Sequence, residues 1–407
     1  MKILVFNCGS SSLKYRLIEM PAEKELAAGE AQRVGAKTSE PARIICRHDA
    51  GPQTAFVPMP THEVAFEEVM KRLPASMRPE AFGQRLVHGG SRFSAHVVID
   101  HGVVTELEAL SDLAPLHNPP AVRLIRACRR AYPNLPQVAV FDTVFHSTIP
   151  EYARTYALPR QLAGQLGLRK FGFHGTSHQY VATEAARILE RPLETLRAVS
   201  CHLGSGGASL CAIVNGRSVD NTMGYSPLQG LVMSTRCGDL DAAVALRLLL
   251  QSAGDPQPVE SLLNHHSGVL GMSGTSADIR DVLRLADQPG PGQDQLRQTL
   301  EVYVWRIRKY LGSYLAVTNP ADAVIFTDTI GETVPQVRWA VCAGLGEFGL
   351  AIDPDRNERP GKLPAHIATC ESPTRVLVIQ TNEELSIARN VYALLVNGPH
   401  QAARGAA

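Results

Sequence analysis

A charge bias is missing from this 407-residue chain: 40 Lys and Arg stand against 39 Asp and Glu, a formal +1. A dedicated nucleic-acid binder normally carries a basic excess, so that class is disfavoured. No apolar run approaches the ~20 residues that a membrane helix needs; the nearest, around 242–250, is broken by Arg247. The eight cysteines are scattered without a C-x-x-C pair, which argues against a disulfide frame or a zinc site and for reduced thiols. The first residues run straight into Lys2-Ile-Leu-Val-Phe6 without the layout of a secretory leader, and a cytoplasmic location is expected. No G-x-x-x-x-G-K-[ST] loop occurs, which removes the Walker-type ATPases. What remains is ordinary globular material, 44% hydrophobic and 19% charged, enough for two or three packed domains.

Short β-rich runs alternate with helical periodicity, the pattern of an α/β protein. Strands are expected at 3–7, 85–88, 137–141, 198–202, 323–327 and 376–379, each ending in a polar or glycine-containing turn where such folds place ligands. Helices are expected at 121–132, 178–190, 240–252, 296–317 and 383–395. Two segments resemble each other. Val5-Phe-Asn-Cys-Gly-Ser-Ser-Ser-Leu-Lys14 and Val199-Ser-Cys-His-Leu-Gly-Ser-Gly-Gly-Ala-Ser-Leu210 both run strand, Gly/Ser turn, strand. Such turns offer bare backbone N–H groups and hydroxyls to phosphate. Either alone reads equally well as a plain tight hairpin; two of them favour phosphate and a duplicated domain.

Two other patterns carry less. Gly344-Leu-Gly-Glu-Phe-Gly349 spells G-x-G-x-x-G but follows a helical stretch, not a strand, and reads as a helix end and loop. His174-Gly-Thr-Ser-His178 has i, i+4 spacing, yet Gly175 is poor helix material and no third zinc ligand is evident.

The chain resembles the acetate kinase family in blocks that keep one order from residue 1 to about 395. They include Asn7-Cys-Gly-Ser-Ser-Ser-Leu-Lys14, Arg85-Leu-Val-His-Gly-Gly90, Leu113-Ala-Pro-Leu-His-Asn-Pro-Pro120 and Phe141-Asp-Thr-Val-Phe-His146. Phe171-Gly-Phe-His-Gly-Thr-Ser-His178, His202-Leu-Gly-Ser-Gly206, Met223-Gly-Tyr-Ser-Pro-Leu-Gln-Gly-Leu-Val-Met-Ser-Thr-Arg236 and Thr381-Asn-Glu-Glu384 continue the series. The resemblance implies a duplicated, two-lobed α/β fold of the actin-like ATPase (ribonuclease H-like) type with its site in the interlobe cleft. Residues 1–146 and 384–407 would form the acyl lobe, and 147–383 the nucleotide lobe. It implies a homodimer, magnesium or manganese, and the reaction ATP + acetate ⇌ ADP + acetyl phosphate.

Residue roles follow from the same resemblance. Asp142, His174 and Arg236 are the catalytic candidates, with Arg85 and His117 on the substrates and Val87, Leu116, Phe173 and Pro227 walling a small apolar pocket. For His117, capping a loop is the alternative. Nucleotide contacts fall to Ser10, Ser12, Lys14, His202, Leu203, Gly204, Ser205, Gly206, Asp278, Ile279, Arg280, Thr329, Ile330, Gly331, Glu332 and Thr333. Asn7 and Glu383 are the metal-associated pair. The chemistry agrees: joining an anionic acceptor to an anionic donor needs cations and a metal more than a base, and arginine's planar fork pairs with carboxylate and phosphate oxygens. Acetate is already ionised at pH 7, so Asp142 is expected to orient Arg236 or a metal-bound water instead of taking a proton.

Thr381-Asn-Glu-Glu384 reads as a capping box that uses Glu384 and leaves Glu383 for the metal. The family's F-T-(A or G)-G-I-G-E-N stretch reads Phe326-Thr-Asp-Thr-Ile-Gly-Glu-Thr333 here, and Ser205 stands where the family has Asn. Thr333 is expected to cap the next helix with Gln336. Thr329 should crowd a turn that favours glycine, and Asp328 adds a negative charge near the nucleoside. A propionate-preferring kinase, a donor other than ATP such as pyrophosphate, and a degenerate binding protein are the competing readings.

Overall fold

The computed structural model describes residues 1–9, 11–36, 40–48, 51–111 and 118–398. Three expected site residues, Ser10, Leu116 and His117, lie outside the described residues. The chain divides into a first unit, Met1–Ser147 with Asn382–Ala407, and a second, Thr148–Thr381. Glu383, expected at the end of the second lobe, therefore belongs to the first unit.

The first unit holds an eight-stranded sheet. Its strands are β1 (Lys2–Cys8), β2 (Ser12–Glu19), β3 (Lys24–Gln32), β4 (Arg43–His48), β5 (Gly51–Phe56), β6 (Ala81–Leu86), β7 (Val97–Val98) and β8 (Gln137–Phe141), in the order β5-β4-β3-β2-β1-β6-β8-β7. Side chains alternate between its faces. Leu4, Phe6, Phe82, Ala139 and Phe141 pack with helices His62–Arg72 and Asn118–Ala131 through Phe66, Leu124 and Ile125. On the other face Ile3, Val5, Ala81, Val138 and Val140 meet Ile387, Ala388 and Val391 of the last helix, Glu383–Asn397. That helix comes close because β6 carries Gly83: a Cβ there would sit 3.0 Å from both Ile387 and Val391 side chains.

The second unit repeats the plan. Strands β9 (Arg197–Leu203), β10 (Ala208–Val214), β11 (Arg217–Asn221), β12 (Ala323–Thr327), β13 (Ala365–His366) and β14 (Arg375–Val378) are ordered β11-β10-β9-β12-β14-β13. In both sheets an antiparallel trio (β3-β2-β1, β11-β10-β9) is followed by two strands parallel to its last member (β6-β8, β12-β14). The similarity of the two Gly/Ser segments is thus the similarity of two equivalent hairpins, β1–β2 and β9–β10. Strand β12 is buried at every position, as a parallel strand covered on both faces must be. This is the α/β actin-like ATPase plan, present twice.

Boundaries differ from expectation where glycine and polar residues hide a strand. The strand expected at 85–88 is Ala81–Leu86, because Gly83 and Gln84 dilute an apolar run that pairing with β1 and β8 nevertheless enforces. Gly175 opens helix Gly175–Ile188, so His174-Gly-Thr-Ser-His178 is a helix start after all. Gly346–Phe348 is a single 3₁₀ turn after a helix end, as expected of the G-x-G-x-x-G stretch.

Candidate active site

Strands β1, β6 and β8 run parallel and end together, so Asn7, Arg85 and Asp142 meet at their carboxyl ends. Asp142 follows β8 directly, its N–H donating to Leu86 O at 2.9 Å. Arg85 donates from Nη2 to Asp142 Oδ2 (2.7 Å), from Nε to both Asp142 oxygens (3.2 Å) and from Nη1 to Asn7 Oδ1 (3.0 Å). Its Nη1 also lies 3.1 Å from Glu383 Oε2. Burial disfavours the guanidinium charge, but the carboxylates of Asp142 and Glu383 outweigh it and raise the pKa of Arg85 further. Asp142 is held by Arg85 through both carboxylate oxygens.

Two expectations at the last helix change, the capping residue and the role of Glu384. Its N-cap is Asn382, whose Oδ1 accepts from Leu385 N–H, and the Thr381 hydroxyl lies 2.9 Å from Ser177 Oγ instead. The T-x-x-E box does not form, since Asn is at least as good a cap as Thr and stands one residue later. Glu384 pairs with Arg16 at 3.7 Å. Glu383 is engaged by Arg85.

Arg85 and the half-buried Val87 mark the end of β6. In the first Gly/Ser turn Gly9 N–H donates to Ser12 O at 2.9 Å, His62 Nε2 lies 2.9 Å from Gly9 O, and Lys14 is exposed on β2.

The second unit gathers three histidines. His174 stands in the left-handed region (φ 58°) at the start of Gly175–Ile188. Its Nδ1 lies 2.8 Å from Ser209 Oγ, which lies 2.9 Å from His178 Nε2; His178 Nδ1 is 2.8 Å from Ser200 Oγ. His202 stacks on His174 with ring centroids 4.1 Å apart, and its Nδ1 is 2.9 Å from Ser177 Oγ. The i, i+4 pair thus shares a serine on β10. Both functional groups lie against this turn: a Cβ built at Gly207 would be 3.4 Å from His174 Nε2 and 3.5 Å from Arg236 Nη1, ordinary contact distances. Burial lowers the pKa of Arg236 from the ordinary arginine value, and among the described residues no carboxylate lies within ion-pair distance of it. Phe173 is buried beside His174 in sequence, and Pro227 is half-buried.

His202 and Leu203 end β9, and the turn that follows through Gly204, Ser205 and Gly206 is closed by Gly204 N–H donating to Gly207 O at 3.0 Å. Ser205 and Gly206 are exposed. Asp278 caps helix Ile279–Ala286, with Ile279 buried and Arg280 folded back onto the Asp278 carboxylate.

The stretch after β12 departs from expectation. The residue at positive φ is Asp328 (φ 62°); Thr329 is not, and its hydroxyl donates to Asp328 Oδ1 at 3.0 Å. Thr329 to Thr333 form a helical turn, Asp328–Thr333, in which Ile330 and Gly331 are buried. Glu332 Oε1 accepts from the N–H groups of Asp328 and Thr381, and burial raises its pKa. Thr333 caps nothing: its hydroxyl donates to Thr329 O, and Val334 is the N-cap of Pro335–Cys342. Ser177, Ser200 and Ser209 carry no motif of their own: Ser177 lies on the helix Gly175–Ile188, Ser200 on β9, and Ser209 on β10 opposite His202.

The model of the acetokinase family matches residues 2–389. The chain belongs to the acetokinase family. It is 46% identical over 406 residues to the acetate kinase of Alkaliphilus metalliredigens, covering 97% of this chain and 100% of that one. To the acetate kinase of Methanosarcina acetivorans it is 44% identical, covering 96% of each. Its fold matches the crystal structure of Porphyromonas gingivalis acetate kinase with a TM-score of 0.88 at 36% identity, over 97% of this chain and 99% of that one. A propionate kinase from Francisella tularensis matches with a TM-score of 0.87 at 35% identity, over 96% and 98%. As a member of the acetokinase family the chain is a kinase, a phosphotransferase whose acceptor is a carboxyl group. Among the described residues no helix is long and apolar enough to cross a membrane.

Proposed function

We propose that the chain transfers the γ-phosphoryl group of ATP reversibly to acetate. An acetate oxygen attacks phosphorus, the bond to the β-phosphate oxygen breaks with its electron pair leaving on ADP, and no proton need move. Arg236 carries the reading: a desolvated guanidinium with no carboxylate partner, aimed with His174 at a glycine of the Gly/Ser turn, fits a transferring phosphoryl group. His174 donates to that group from Nε2, while Ser209 at Nδ1 fixes the ring. The Gly/Ser turns, Asp278–Arg280 and Thr329–Thr333 take the nucleotide. Arg85, its plane fixed by Asp142, takes the acetate carboxylate, and the family resemblance gives Val87, Phe173 and Pro227 the methyl group.

The first unit's donor set fits a magnesium or manganese ion. Asn7 Oδ1 and Glu383 Oε2 are hard oxygens converging on one Arg85 nitrogen, and two carboxylates against one guanidinium leave a net negative corner. Asn7 and Glu383 would hold the ion, largely through water; when bound, it neutralises donor phosphate charge.

A homodimer is part of the proposal. Helices Ala242–Gln251 and Pro256–His265 bury no residue, and Leu246 and Leu250, one helical turn apart, are 62% and 75% exposed. Cysteines without disulfides support the cytoplasm as the site of action. The deciding experiment is a coupled assay offering acetate, propionate and butyrate with ATP. Acetate should give the highest kcat/KM, with propionate lower by ~10–200-fold for the added methylene. A propionate preference would transfer the assignment to the propionate kinases.

A further inference from the structure

The carboxylate of Asp328 lies on the second Gly/Ser turn. Its Oδ2 is 3.0 Å from His202 Nε2, and it fills the place beside Gly204 so closely that a Cβ there would come within 2.6 Å of it. The other oxygen, Oδ1, accepts from Thr329 N–H (2.6 Å) and Thr329 Oγ1 (3.0 Å). The backbone is equally fixed: φ is 62°, a conformation Asp tolerates better than most residues, and its N–H is held by Glu332 Oε1 at 2.8 Å. Burial opposes ionisation, but the bonds from His202 and Thr329 win and hold the carboxyl well below the usual range. The side chain keeps 30% of its surface exposed, so the carboxylate is not sealed inside the protein.

Resting on the reading of this turn as a phosphate cradle, we propose that Asp328 is a specificity-determining residue for the phosphoryl donor, a fixed carboxylate that penalises a polyphosphate in proportion to the charge it brings to the turn. Repulsion between like charges a few ångströms apart, partly shielded from water, is large enough to select. A donor whose charge is neutralised by a divalent cation meets a small penalty, and a bare polyphosphate a large one. The His202 ring, its Nε2 3.0 Å from Oδ2, keeps the carboxylate seated. Asp328 therefore discriminates between metal-complexed and metal-free nucleotide before any chemistry occurs.

Direct binding measures this without turnover. ATP and ADP are titrated calorimetrically into wild type, Asp328→Asn and Asp328→Gly, with and without magnesium, at two ionic strengths. Asn keeps the shape and tolerates positive φ; Gly removes the side chain and keeps the backbone freedom. Both variants should bind metal-free ATP about tenfold more tightly than wild type. They should bind the magnesium complex only about two- to threefold more tightly, and both differences should shrink with salt. The KM for acetate should stay unchanged. Equal nucleotide affinities in all three proteins would overturn the proposal. Weaker binding in both variants would overturn it too, making the carboxylate a brace for His202. If no nucleotide bound to wild type or variants, the ATP reading itself would fall, and this inference with it.

Discussion

Arg85 and Arg236 are the same residue type under opposite conditions. Arg85 is surrounded, bonded to Asp142 and Asn7 and paired with Glu383. Arg236, desolvated in the second unit, has no such neighbour among the described residues. One corner is therefore an anionic cluster with a guanidinium at its centre and suits a cation. The other is a cation beside stacked imidazoles and suits an anion. A motif that marks both arginines as clamps merges two tasks: Arg85 organises carboxylates as well as facing substrate, whereas Arg236 has its charge available for the group that moves.

The comparison can be broken by truncation. Arg85→Ala should cut turnover by about three orders of magnitude or more. It should also destabilise the first unit by about 3–5 kcal/mol, because the buried Asp142 loses the guanidinium that bonds both its oxygens. Arg236→Ala should lose comparable activity while its melting temperature stays within a degree or two, since no internal partner is stranded. Calorimetry beside steady-state kinetics reads both, and equal stabilities for the two variants would erase the distinction.

Acidification sharpens it further. In the first unit burial depresses the pKa of His96 to about 4, partly offset by the Asp142 carboxylate, and its Nδ1 accepts from Phe141 N–H at 3.3 Å. A folded pKa below the unfolded value of ~6.5 means that the unfolded chain takes up the proton first. Stability should thus be full above about pH 6.5 and fall toward pH 4. His96→Gln should flatten that slope in denaturant titrations, and an unchanged slope would remove His96 as its source.

The smallest effects come from the neighbouring glutamates. Glu383→Gln should raise the metal concentration needed for half-maximal rate by about tenfold, in line with losing a partner at a metal site. Glu384→Ala should leave it alone and cost less than ~1 kcal/mol, the worth of a partly exposed ion pair with Arg16. A metal effect at Glu384 instead would reverse the assignment.

Local signals read well from sequence. The strands at 137–141 and 323–327 emerge at their own bounds because they are continuous apolar runs between turns. Asp142 stands out because it ends such a run. Competition between neighbours reads badly. Thr381 and Asn382 can both cap a helix, and which one does depends on Ser177, two hundred residues away in sequence, drawing the threonine hydroxyl off. Positive φ was expected at Thr329 but falls on Asp328, where His202 and Glu332 hold the residue from outside its own segment. The serine–histidine contacts have no sequence spacing of their own, being made by pairing β9 with β10 and laying a helix beside them.

The final helix has a consequence for synthesis. It covers the sheet face made by Ile3, Val5, Ala81, Val138 and Val140, strands that leave the ribosome long before it does. All of Thr148–Thr381 is translated in between, an interval of about ten to fifty seconds at ~5–20 residues per second. Through that interval the nascent first unit carries an uncovered apolar β-surface, the kind of surface that chaperones hold and that aggregates recruit. A chain that stops before Ile387 should meet the quality-control machinery even though every strand of its first sheet is present.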